Sequence, residues 1–193
     1  MFMEKPFEIF AAWYAEVLGS GVKEPTAMTL ATVNAQGRPS SRIVLLKSYD
    51  ERGFVFYTNS QSRKGNDLKE NNFAALSFYW MDLMRQVRIE GIVEPVTGQE
   101  ADDYYNSRAL ESRIGAWASK QSEILPNREE LLERNAEYGK KYGITPPRPP
   151  HWHGYRLKPD YFEFWQEGAF RLHERDCFKL NTTGEWEDFK LYP

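Results

Sequence analysis

Met28-Thr29-Leu30-Ala31-Thr32-Val33, Asn34-Ala35-Gln36-Gly37, Arg42-Ile43-Val44-Leu45-Leu46-Lys47, Asp50-Glu51-Arg52-Gly53 and Phe54-Val55-Phe56-Tyr57-Thr58 follow one another in a single stretch of chain. Three runs rich in β-branched and aromatic residues read as strands, and the two Asn/Asp-to-Gly tetrads between them read as turns. Turns this short join antiparallel neighbours, because a parallel crossover needs a dozen or more residues. The pattern continues downstream. Phe73 to Trp80 is a strand, and Gln86 to Val93 is another, alternating Val87 and Ile89 with Arg88 and Glu90. After the stiff connector Thr145-Pro146-Pro147-Arg148-Pro149-Pro150 come His153 to Leu157, Tyr161 to Trp165, Phe178 to Asn181 and Trp186 to Leu191, the last two joined by Thr182-Thr183-Gly184.

Helices fall between these strands rather than alternating with them. Phe7, Phe10, Ala11, Tyr14, Val17 and Leu18 are spaced for one helical face, with Pro6 in the first turn and a stop near Gly19 or Gly21. Ser62 to Glu70 reads as a short helix. Thr97 with Glu100, and Asn127 with Glu130, open two more, the first running through Tyr104 and Tyr105 and the second to Tyr142. Sequential strands without βαβ units predict a mainly β protein with helices (α+β), its antiparallel sheet closing as a barrel.

Composition narrows the function. The 193 residues are enough for one domain with a proper core, and 41% hydrophobic with 27% charged residues is a globular balance. The net charge of −3 provides no general field for a polyanion, so nucleic acid is not an expected partner and any phosphate must be met by a local cluster. One cysteine, Cys177, excludes an internal disulfide, and with only three histidines no metal site is expected. The start Met1-Phe2-Met3-Glu4-Lys5-Pro6 lacks the pattern of a signal peptide, and no apolar stretch reaches membrane-spanning length, so a cytoplasmic location is expected.

Several clusters suit an anionic ring-shaped ligand. Arg63 and Lys64 occupy the first turn of a helix, where two cations oppose the helix dipole unless an anion docks there. Arg42 and Lys47 bracket a strand, on opposite faces by period-two counting. Gln86 offers an amide at a strand start, and Tyr104, Arg108 and Ser112 are spaced along one helical face. Arg171-Leu172-His173 sets a cation beside an imidazole, near Trp165 and Arg175. Asp102 and Asp103 read as a solvated face, and His151 and His153 as structural. Neither a phosphate-binding glycine loop nor a nucleophile elbow is present.

These stretches also occur in a telling order: Arg42 to Lys47, Phe56 to Asn59, Ser62 to Gly65, Phe78 to Trp80, Arg85 to Gly91, Gly115 to Ser119, Gln121-Ser122, Glu163 to Gln166 and Arg171 to His173. Together they closely resemble the pyridoxine/pyridoxamine 5′-phosphate oxidase family, from about Pro6 to Pro193. The resemblance implies a single FMN-binding domain over residues 1–193, an antiparallel split β-barrel with an N-terminal helix (1–21) and C-terminal strands (145–193). It implies a homodimer with FMN in clefts at the subunit boundary.

Carried over motif by motif, Arg42, Ile43, Val44, Leu45, Leu46, Lys47, Tyr57, Thr58, Arg63, Lys64, Gln86, Gln121, Ser122, Trp165 and Arg175 would hold FMN. Lys47, Tyr104, Arg108 and Ser112 would bind the substrate phosphate. Arg171, Leu172 and His173 would lie against the substrate ring, with Arg171 and His173 as the catalytic pair. The implied reaction converts pyridoxine or pyridoxamine 5′-phosphate to pyridoxal 5′-phosphate, using oxygen and releasing hydrogen peroxide. The chain departs from the family's pattern at Ala109-Leu110-Glu111, at His153 and at Glu174. Two alternatives stay open: a related flavin oxidase acting on another ring, and a non-catalytic FMN or pyridoxal phosphate binder.

Overall fold

The computed structural model describes residues 4–193. In chain order the elements are α1 (Lys5–Gly19), β1 (Ala27–Val33), β2 (Pro39–Leu45), β3 (Ser48–Asp50), β4 (Gly53–Asn59), α2 (Arg63–Glu70), β5 (Phe73–Trp80), β6 (Arg85–Pro95), α3 (Gly98–Ser107), α4 (Leu110–Ala118), α5 (Arg128–Tyr142), β7 (Trp152–Gln166), β8 (Glu174–Leu180) and β9 (Trp186–Lys190). All paired strands are antiparallel, in the order β2-β1-β5-β6-β7-β4-β3. The long β7 carries β4 on its outer edge along the first half and β8 along the second, with β9 beyond. The sheet curls until its ends meet: past β2, Lys47 N donates to Val55 O of β4 at 2.9 Å. This is an antiparallel split barrel.

Local chemistry explains the joints. Asn34 Oδ1 accepts from Gln36 N and Arg38 N, and Gly37 at φ +76° closes the β1–β2 turn. Thr97 Oγ1 accepts from Glu100 N and Asn127 Oδ1 from Glu130 N, capping α3 and α5. The Glu100 carboxylate is turned away to Arg156 instead of completing a capping box.

Inside the barrel the apolar faces of the strands meet α1. Phe10 is fully buried, its ring 4.8 Å from Phe54, 4.9 Å from Tyr49 and 5.4 Å from Phe78. Phe7 lies 5.3 Å from Phe162. Each such ring contributes about 1.5–3 kcal/mol of burial, which fixes α1 as the plug of the barrel. Leu18, expected on the same face, is 58% exposed, while its neighbour Val17 makes the last buried contact of α1.

The short β3 and the first residues of β8 lie outside the strands expected from the sequence, and three further segments differ from that reading. β2 begins at Pro39 and ends at Leu45, because the chain crosses to β4 at Leu46-Lys47. The two strands expected around Tyr161 are one strand, β7, which passes through Pro159. That proline sits where β4 has ended and β8 has not begun, opposite a bulge at Glu90/Gly91, so its missing N–H leaves no ladder bond broken. Gly91 is required there, since a Cβ would lie 2.0 Å from Lys158 O. Finally, α4 is an additional helix that packs on α5 through Trp117, whose ring lies 4.8 Å from Tyr142.

A cationic cleft and a separate Trp165 row

The N-terminus of α2 builds the first part of the site. Ser62 caps the helix, donating to Asn59 O at 2.7 Å and accepting from Gly65 N. Gly65 presses on Ser60 so closely that a Cβ would sit 2.3 Å from Ser60 O. This holds Lys64 inward, 8% exposed, with Nζ donating to Gln121 Oε1 (2.9 Å), Thr58 Oγ1 (3.1 Å) and Ser62 Oγ (3.3 Å). No carboxylate neutralises it among the described residues, and burial, aided by Arg42, pushes its pKa down to about 8. Arg42 Nη1 donates to Thr32 Oγ1 (2.7 Å) and Leu30 O (3.2 Å), with the buried Asp67 3.8 Å from its Nη2.

These groups open into a cleft of about 280 Å³. Arg42, Lys47, Lys64 and Arg108 line it and no carboxylate does. Arg42 and Lys47 therefore share one cleft, against the opposite-face expectation, because the strand period ends at Leu45. Ile43, Val44, Leu45, Tyr57, Thr58, Tyr104, Gln121 and Trp152 complete the wall. Tyr57 stacks on Tyr104 at 4.1 Å and on Trp152 at 5.0 Å. Burial, with Glu100 nearby, pushes the Tyr57 phenol up to about 12, so it stays protonated. The Arg108 guanidinium lies 5.0 Å over the Trp152 ring, and its Nη1 is buried without a hydrogen-bond partner among the described residues.

The remaining sequence-derived residues lie elsewhere. Leu46 points into the core and donates its N–H to Thr26 O; Arg63, Ser112 and Ser122 are exposed and do not line the cleft. The shared helical face of Tyr104, Arg108 and Ser112 is corrected: α3 ends at Ser107, Arg108 is extended (φ −77°, ψ 153°), and Ser112 belongs to α4.

Gln86, Trp165 and Arg175 form one row across β6, β7 and β8, as direct cross-strand partners, outside the cleft. Arg175 is held by Glu163, Nε to Oε1 at 3.1 Å and Nη2 to Oε2 at 3.0 Å, and Arg88 Nη1 reaches the same carboxylate at 3.0 Å. The loop from β7 to β8 presents Arg171, Leu172 and His173 beside this row, the His173 ring 4.7 Å from Trp165. Phe170 and Arg171 both take positive φ (58° and 64°), a strained conformation for non-glycine residues, and Phe170 and Leu172 are 93% and 70% exposed. Gly168 N donates to His173 Nδ1 at 3.2 Å, so a neutral ring carries its proton on Nε2.

Trp152 and Glu163 were not singled out as site residues in the sequence, since their partners are distant in the chain. His151 and His153 bond Ala116 O and Pro150 O. Asp102 is not simply solvated: it accepts from Arg148 Nε at 2.5 Å. Cys177 is a buried packing residue.

Residues 16–143 match the family model described as pyridoxamine 5′-phosphate oxidase. Residues 152–193 match that of the pyridoxine 5′-phosphate oxidase C-terminal dimerisation region. The chain belongs to the pyridoxamine 5′-phosphate oxidase family. Among its relatives, the pyridoxine/pyridoxamine 5′-phosphate oxidase of Bordetella pertussis is 54% identical over 188 residues, covering 97% of this chain and 89% of its own. That of Cupriavidus necator is 53% identical over the same shares. The crystal structure of PhzG from Burkholderia lata in complex with tetrahydrophenazine-1-carboxylic acid is 36% identical with a TM-score of 0.94, covering 98% of this chain and 93% of that one. An oxidase-related, FMN-binding protein from Nostoc punctiforme, 16% identical, shares the fold at a TM-score of 0.78 over the full length of both chains.

The departures from the oxidase family's pattern find local reasons. Glu111 lies in the first turn of α4, where an acid complements the helix dipole, and does not line the cleft. His153 turns its ring to Pro150 O, whereas a Cβ at Gly154 would strike the Tyr57 ring at 2.5 Å. Glu174 is exposed at the start of β8. Among the described residues no helix is long and apolar enough to cross a membrane.

Proposed function

We propose that this protein oxidises pyridoxine 5′-phosphate and pyridoxamine 5′-phosphate to pyridoxal 5′-phosphate as an FMN-dependent homodimer. The observation that carries the reading is the cleft lined by four cations and no carboxylate. Lys64, a buried ammonium without an acid partner, and Arg108, with an unpaired buried N–H, fit phosphate dianions. The donor set therefore suits a cofactor phosphate at Lys64 with Arg42, and a substrate phosphate at Arg108 with Lys47 and Tyr104; Arg63 and Ser112, outside the cleft on this chain, would have to turn in to join them.

Bound FMN would supply the two-electron chemistry, taking a hydride from substrate C4′ and returning the electrons to oxygen as hydrogen peroxide; for the amine, water would then hydrolyse the resulting imine and release ammonia. The chain supplies placement. Anchoring the substrate by its phosphate turns a bimolecular encounter into an oriented one. Gln86, Trp165 and Arg175 would complete the cofactor site, and Gln121 with Ser122 would close it. Arg171 and His173 would orient the substrate ring, with Nε2–H of His173 as the hydrogen-bond donor and proton carrier. Because the Trp165 row stands apart from the cleft on one chain, a second subunit would bring the two together. The dimerisation region at residues 152–193, which contains Trp165 and Arg175 of that row and the Arg171 loop, supports this.

The test is an anaerobic visible spectrum of the FMN-loaded protein before and after each substrate. Bleaching that air reverses, with pyridoxal 5′-phosphate formed, is the expected result. A bound flavin that neither compound reduces would move the chemistry to another ring substrate, such as that of the PhzG relative, or to a binding role.

A further inference from the structure

We infer that Trp152 is a positioning residue for phosphate recognition: its ring holds the Arg108 guanidinium in place without using the N–H groups that an incoming phosphate monoester needs. The inference deepens the reading above and rests on it for the identity of the ligand.

The contrast lies within the molecule. Arg156 is buried too, and two carboxylates hold it, Asp50 Oδ1 at 3.0 Å and Glu100 Oε1 at 2.8 Å. Arg175 is gripped through two nitrogens by Glu163. Each of these guanidiniums has its charge met by protein acids, and Arg175 Nη1 also donates to Tyr192 O at 2.9 Å. Arg108 is handled differently. No carboxylate lies within ion-pair distance among the described residues, and its cation sits 5.0 Å over the indole of Trp152. A cation–π contact attracts the charge while leaving the donors free. Nη1 is buried and unpartnered, a state that costs about 1–3 kcal/mol when no ligand relieves it. The other such atom among the described residues, Arg113 Nε, does not line the cleft.

Trp152 is itself held firmly. It is 6% exposed at the start of β7, stacks on Tyr57 at 5.0 Å with 12° between planes, and meets Tyr105 edge-on at 5.2 Å. Gly154 leaves room for the Tyr57 ring. Arg108, just past α3 and in extended conformation, is thereby aimed along a fixed ring rather than left as a mobile surface side chain.

The experiment uses the FMN-loaded protein and compares kcat/KM for pyridoxamine 5′-phosphate with that for unphosphorylated pyridoxamine. Trp152→Phe keeps a ring, but a poorer one for cations, and is expected to lower the phosphate preference about threefold; Trp152→Leu should lower it about tenfold. In an Arg108→Ala background neither substitution should change the ratio further, since the indole then has no guanidinium to hold. An unchanged ratio in Trp152→Phe, or an equal drop with Arg108 already removed, overturns the inference, and Trp152→Phe decides this alone if Trp152→Leu does not fold. If the parent oxidises neither amine, the functional reading falls, and calorimetric titration with inorganic phosphate then decides. Binding weakened by Trp152→Phe only when Arg108 is present upholds the inference. Absent binding, or binding indifferent to Trp152, overturns it.

Discussion

Lys64 Nζ donates to Gln121 Oε1 at 2.9 Å, and Thr58 Oγ1 donates to the same oxygen at 2.9 Å. One amide oxygen thus receives two converging donors at the N-terminus of α2, as an oxygen of a bound anion would. Gln121 is exposed and the next residue, Ser122, takes φ 75°, so this acceptor comes from the surface loop after α4 rather than from the barrel. Lys64 thus finds its acceptors within the chain, and an entering phosphate would exchange one oxygen for another.

That exchange makes cofactor affinity depend on pH. The pKa of Lys64 lies at about 8, below its ordinary 10.5, because burial disfavours the charge. Between these values the unfolded chain holds the extra proton, so raising the pH from about 8 towards 10.5 stabilises the empty protein through this group. Phosphate needs the charged form. FMN affinity should therefore be level below about pH 8 and fall above it, while riboflavin, without the phosphate, shows no such fall. Lys64→Met should weaken FMN roughly 10- to 100-fold and abolish the pH dependence. Fluorescence titration across pH 6–10 checks both, and parallel curves for the two flavins would contradict the assignment.

Arg171→Ala and His173→Ala should each lower kcat/KM by roughly 10²-fold or more while FMN stays bound, because in the proposed function both would face the substrate and not the flavin. Flavin content after gel filtration, read beside steady-state rates, separates the outcomes. Loss of flavin from either variant, under conditions where the parent keeps it, would place these residues on the cofactor instead.

A site completed by two chains can be rebuilt from two defective ones. Lys64→Ala removes the cleft's buried cation and Trp165→Ala breaks the β6–β7–β8 row. Each variant alone should be nearly inactive. Unfolded, mixed in equal amounts and refolded, they should recover about a quarter of the parent's active sites, since half the dimers are mixed and each holds one intact site. No recovery from folded mixed dimers would mean that each chain builds its own site.

Gly91→Ala tests the bulge that lets β7 run unbroken past Pro159. The new methyl would meet Lys158 O at 2.0 Å, so the barrel must open locally. A destabilisation of about 2–4 kcal/mol in urea unfolding is expected, near the upper range for single substitutions.

Much of this architecture was legible along the chain. Strand alternation, the turn glycines and the helix caps act over a few residues, so the strands β1, β5 and β6, the antiparallel sense of the sheet and the start of α5 could be read directly, whereas the pairing of β1 with β5 could not. α4 was missed because its N-cap, Ala109, has no polar side chain to announce it. β7 was divided because Pro159 is a strand breaker everywhere except at such a bulge.

The sequence by itself determined the antiparallel barrel, the N-terminal helix with one buried face and the family to which the chain belongs, since these follow from local periodicity and from motifs in order. Only the tertiary structure decided which cations share a cleft. Arg42 and Lys47 meet there because β2 breaks at Leu45, and Trp152 reaches Tyr57 and Arg108 because β7 folds back beside β4. It also showed that the Trp165 row lies outside that cleft, because antiparallel pairing sets Gln86, Trp165 and Arg175 side by side on β6, β7 and β8. Contacts between residues so distant in sequence depend on how the sheet closes, which no local pattern encodes.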